Sequence, residues 1–75
     1  METKKDRFKR LAEARTNRAL DAIRSIAKLA NRNHYEFNEE DIKMIFSALR
    51  KELSDAQAIY LASHAKAEKK FQLNK

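Results

Sequence analysis

Between residues 4 and 30 the apolar side chains fall at Phe8, Leu11, Ala12, Ala19, Leu20, Ala22, Ile23, Ile26, Ala27, Leu29 and Ala30. Spaced at about 100° per residue, they cover roughly half of a helical circumference. Arg7, Arg10, Asn17, Asp21, Arg24, Lys28 and Arg32 occupy the other side. The pattern predicts a first helix over about 4–31, some ~40 Å long at about 1.5 Å per residue. A stripe this wide can be covered by more than one neighbour.

A second periodic segment begins after residue 37. Asn38 suits an N-cap, because its side-chain oxygen can accept a backbone N–H of the first turn. Glu39, Glu40 and Asp41 follow, where negative charge suits the positive end of the helix dipole. Phe37 and Ile42 flank the cap with the spacing of a hydrophobic staple. Beyond them Ile42, Phe46, Leu49, Leu53, Ala56, Tyr60, Ser63 and Ala67 alternate four and three apart, as in a coiled-coil seam. Met44, Ala48, Ile59, Ala62 and Ala65 widen it. The predicted helix runs over about 38–72, with Leu73 to Lys75 fraying. Ser54 and Gln57 match a capping box, so two readings stand at that point: a continuous helix with Ser54 and Asp55 solvated, or a third helix starting at Ser54.

Residues 32–37 are left as a turn. Its length suits antiparallel helices, and Asn31 or Asn33 can adopt the left-handed conformation that usually falls to Gly. The expected fold class is therefore all-α: a long helical hairpin forming a single domain over residues 1–75. A lone hairpin leaves wide stripes uncovered, so pairing of two hairpins into a four-helix-type homodimeric bundle is expected. A three-helix monomer broken at Ser54 is the rival.

Composition sharpens this picture. The 75 residues contain no Gly, Pro or Cys, and 37% are charged. Such a chain has no disulfides or thiolate metal clusters, and helix packing and association are its routes to stability. No apolar run approaches the ~20 residues of a membrane span. The basic first residues lack the apolar centre of a signal peptide. A cytoplasmic protein without a membrane partner is expected.

Catalytic chemistry finds little support. His34 and His64 are far apart and belong to no His-x-x-x-His or Glu-x-x-His pair, so no metal and no other cofactor is expected. Ser25, Ser47, Ser54 and Ser63 have no base or oxyanion loop beside them. Without Gly there is no phosphate-binding loop. The clustered carboxylates at 39–41 are explained by helix capping. An enzyme is not expected. His34 reads as a solvated turn residue, or else as a ligand contact or pH sensor.

The net charge of +6 favours polyanionic partners. The arginines concentrate in the first segment, and Arg grips phosphate in a fork that Lys cannot form. Arg7, Arg10, Asn17, Arg18, Arg24, Lys28 and Arg32 are the candidate nucleic-acid-binding residues, with contacts to the phosphate backbone rather than to bases. Three readings of this face remain: a solvated surface with Asp6–Arg10 and Asp21–Arg24 pairs, a nucleic-acid interface, or a docking surface for an acidic protein, as in an adaptor or inhibitor. Arg15 falls within the apolar stripe. It either snorkels to water or pairs with Glu52 or Asp55 and fixes register. In a hairpin Lys66, Lys69 and Lys70 would join the basic end of the first helix.

The stretch Arg7 to Leu49, with Arg15-Thr16-Asn17, Tyr35-Glu36-Phe37 and Glu40-Asp41-Ile42, resembles a group of short helical proteins of bacteria and their mobile elements. The resemblance implies a bacterial, plasmid or phage origin and carries over no catalytic or binding residue. The expected architecture is also similar to that of small dimeric plasmid-copy-number regulators built from helical hairpins, which bind RNA. That similarity is one of fold alone.

Overall fold

A computed structural model describes residues 1–71, and side chains as far as Ser63. It contains two α-helices, α1 (Lys4–Ala27) and α2 (Glu39–Phe71), and no strand among the described residues. The chain divides into two compact units, Met1–Glu36 and Phe37–Lys75. The expected extension of the second helix to residue 72 and the fraying of Leu73 to Lys75 lie outside the described residues.

α1 starts on a device the apolar pattern does not reveal. Thr3 is its N-cap: the Thr3 hydroxyl accepts the Asp6 N–H at 3.0 Å, and the Asp6 carboxylate accepts the Thr3 N–H at 3.4 Å. Two N–H groups that would otherwise lack partners are thereby satisfied. At the far end α1 stops at Ala27, four residues short of the expected 31. The chain tightens there: Leu29 N–H donates to Ile26 O and Ala30 N–H to Ala27 O, each at 3.1 Å. These three-residue steps close the last turn as a 3₁₀ turn.

The turn itself corrects one expectation. No described residue has a positive φ, so neither Asn31 nor Asn33 takes the left-handed conformation. Asn31 works through its polar atoms instead. Its Oδ1 accepts the Asn33 N–H at 3.0 Å, and its carbonyl accepts from His34 N–H at 3.0 Å and Tyr35 N–H at 2.9 Å. An Asx turn of this kind reverses local direction without a strained backbone, which explains how the segment manages without Gly.

α2 begins as its acids and Asn38 predict. Asn38 Oδ1 accepts the Asp41 N–H at 2.8 Å, and Asp41 Oδ2 accepts the Asn38 N–H at 3.0 Å. Phe37, just before the cap, is half-buried. The helix then runs unbroken through Ser54, so no third helix starts there. Lys51 Nζ lies 2.8 Å from Asp55 Oδ2, an i,i+4 pair that spans the site in the helical register.

No described residue is buried. Leu11, Ala12, Ile23 and Ile26 of α1 and Leu49 of α2 are partly covered. Met44, Leu53, Ile59 and Leu61 are each more than three-fifths exposed (67%, 64%, 70% and 64%). The helices are thus defined locally, by caps and by residues with good helix propensity, without a core of fully buried side chains.

The Asn38 cap gives a direct test. Asn38→Ala should lower stability by about 1 kcal/mol, while Asn38→Asp should retain most of it. Urea denaturation followed by far-ultraviolet circular dichroism reads both.

Candidate nucleic-acid interface

Six of the seven candidate residues sit on α1 or its C-terminal cap, and the seventh does not. Arg7, Arg10, Asn17, Arg18 and Arg24 lie on the helix, and Lys28 is its C-cap. With Asp21 they occupy roughly a third of the circumference, opposite the apolar stripe. Arg7 and Lys28 are about 32 Å apart along the axis at ~1.5 Å per residue. Arg32 lies in the turn beyond α1. The earlier end of the helix removes it from the row.

The row is not uniformly free. Arg10 donates from Nε to Glu2 Oε2 at 2.7 Å and from Nη2 to Glu2 Oε1 at 3.2 Å. Arg7 Nε stands 3.9 Å from the same Oε1. The hydrogen bond that Arg10 donates to Glu2 raises the guanidinium pKa above its ordinary value, against a smaller opposing effect of desolvation. Arginine is a permanent cation at any working pH. Further along, Arg24 Nη1 donates to Asp21 Oδ1 at 3.1 Å, the i,i+3 pair that the spacing predicts.

The other expected pair is not the one that forms. The spacing suggests Asp6 for Arg10, whereas the Asp6 carboxylate accepts the Thr3 N–H. Arg10 pairs with Glu2, eight residues back. Glu2 is thus a site residue that the spacing does not announce.

Asn17, Arg18 and Lys28 make no side-chain hydrogen bond or ion pair within their own unit among the described residues. They form the open middle and end of the row. Asn17 also lines an open depression on α1 with Ala12, Glu13 and Thr16. Small residues there allow close approach of a surface, but the depression does not enclose a small molecule. Arg15 is exposed, and Asp55, one partner considered for it, is engaged by Lys51. His34 is an exposed turn residue whose ring meets Tyr35 edge-on at 6.3 Å. Lys66, Lys69 and Lys70 lie outside the described side chains.

Among the described residues no cluster of His, Asp and Glu is placed to hold a metal ion, and no helix is long and apolar enough to cross a membrane. No family model, curated protein or solved structure matches the chain.

Both partners of the Asp21–Arg24 pair are mostly exposed (75% and 68%), so water and salt compete for them. Asp21→Asn should therefore change stability by less than about 0.5 kcal/mol. Thermal unfolding of the two proteins side by side measures the difference.

Proposed function

We propose that this protein binds nucleic acid, through phosphate contacts made by α1, and that it acts by binding rather than by catalysis. The observation that carries the reading is the distribution of charge. Residues 1–36 hold ten Lys and Arg against five Asp and Glu, a net +5 out of the chain's +6. The Arg-rich row gathers five of these ten cations, Arg7, Arg10, Arg18, Arg24 and Lys28, on one exposed side of a helical rod. Arg7, Arg10, Arg18, Arg24 and Lys28 carry the contacts, with Asn17 as a neutral donor between them and Arg32 adding charge from the turn. The carboxylates in the row are held in exposed pairs worth little in water, so phosphates can displace them. Such a surface reads backbone and charge, and base edges little.

The binding unit in this reading is a homodimer of helical hairpins. Its support is the lack of buried side chains: a chain that places Leu53, Ile59 and Leu61 largely in water gains its core by association. Sedimentation at micromolar concentration should give twice the 8.8 kDa chain mass; a monomer at every accessible concentration would remove the dimer from the reading.

Fluorescence anisotropy with labelled duplex DNA, single-stranded DNA and hairpin RNA tests the main claim. Affinity should fall steeply as salt rises from about 50 to 200 mM, and Arg18→Glu with Lys28→Glu should weaken it at least about tenfold. Absence of binding to all three probes at low salt would overturn the reading. Capture of an acidic protein that survives nuclease treatment would move the function to a protein-docking adaptor or inhibitor.

A further inference from the structure

The contact of Glu2 with Arg7 and Arg10 has the geometry of a filled anion site. Two oxygens of one carboxylate meet the Nε and Nη2 donors of Arg10 in a fork, at 2.7 and 3.2 Å, and one of them also faces Arg7 at 3.9 Å. Arginine presents the same fork to two oxygens of a phosphate. Glu2 is not the helix cap, since Thr3 and Asp6 perform that task. Its carboxylate stands outside α1 and reaches back over the helix to the two guanidinium groups.

We propose that Arg7 and Arg10 form a phosphate clamp at the start of the α1 interface, and that Glu2 is its built-in competitor. A backbone phosphate of the nucleic acid replaces the Glu2 carboxylate on the two arginines. The clamp rests on the nucleic-acid reading above and adds a regulation to it. In the free protein Arg10 is hydrogen-bonded to Glu2 and Arg7 faces the same carboxylate, so a phosphate arriving at this end competes with Glu2. A strand already bound along Arg18 and Lys28 presents its next phosphates at high local concentration and displaces Glu2.

The test uses the full chain and a short labelled DNA duplex, with hairpin RNA as a second probe. Glu2→Gln removes the competing charge without touching the cap, and Glu2→Ser does so with a different side chain. Glu13→Gln changes net charge equally, but Glu13 is not part of the fork. Both Glu2 variants should bind more tightly at about 50 mM salt. Their fall in affinity between about 50 and 200 mM should match that of wild type, because the same phosphates are bound in each complex, so the gain is one of affinity. Glu13→Gln should give a clearly smaller gain. In an Arg7→Gln/Arg10→Gln background the gain from Glu2→Gln should shrink to that of Glu13→Gln. A Glu2→Gln affinity equal to that of wild type, or a gain matched by Glu13→Gln, overturns the clamp while leaving the interface standing. Loss of all binding in every protein, wild type included, overturns the interface and the clamp together.

Discussion

A single helix cannot bury its own apolar stripe, and this limits everything else in the molecule. α1 and α2 each carry such a stripe, yet no described side chain is buried. The 24 residues of α1 and 33 of α2 exceed the length at which isolated helices begin to hold, but only marginally so in water. What keeps each rod helical is local: good helix formers, reciprocal caps and i,i+3 or i,i+4 pairs. What would make the fold cooperative is cover for the stripes. In the dimer proposed above, folding and association would be one equilibrium.

The same chain solves its corners without Gly or Pro, and at both helix starts it does so by one repeated device. Thr3 with Asp6 and Asn38 with Asp41 are both a short polar cap followed three residues later by an aspartate that bonds back to the cap's own N–H. Asn31 uses a different one, with side chain and carbonyl gathering the N–H groups of residues 33–35. Asp6 takes part in the cap, and Arg10 pairs with Glu2 rather than with Asp6.

Much of this was legible beforehand, for a physical reason. Periodicity reports the axis and faces of a helix directly, so the two helices and the outer row from Arg7 to Lys28 can be read off as spacing. Asn38 with three acids behind it is a start signal with few alternatives. The end of α1 was less legible: Leu29 and Ala30 keep the helical period, but the backbone tightens at Ile26 and Ala27, and hydrophobicity does not register that change. The Asn31 and Asn33 side chains mark the turn but not its means, because a left-handed cap and an Asx turn call for the same residue type. Glu2 was invisible to spacing rules, which look three or four residues along a helix and not eight residues back across its start.

The acids inside the basic row are more informative than its cations. A helix meant only to adhere to polyanions would gain nothing from Asp21 or Glu2. Their exposed pairs add little to stability, yet they occupy Arg24 and Arg10 and hold those guanidinium groups in place. In the proposed interface, a phosphate that replaces a carboxylate would inherit an arginine already oriented, so part of the ordering cost would be met before binding. A lone phosphate must compete with a carboxylate tethered nearby. A strand engaged at Arg18 and Lys28 competes on equal terms, because its next phosphates are tethered too. With carboxylates at Arg10 and Arg24 and with Arg18 and Lys28 open, the proposed interface would favour long, regularly charged partners such as a nucleic-acid backbone over small anions.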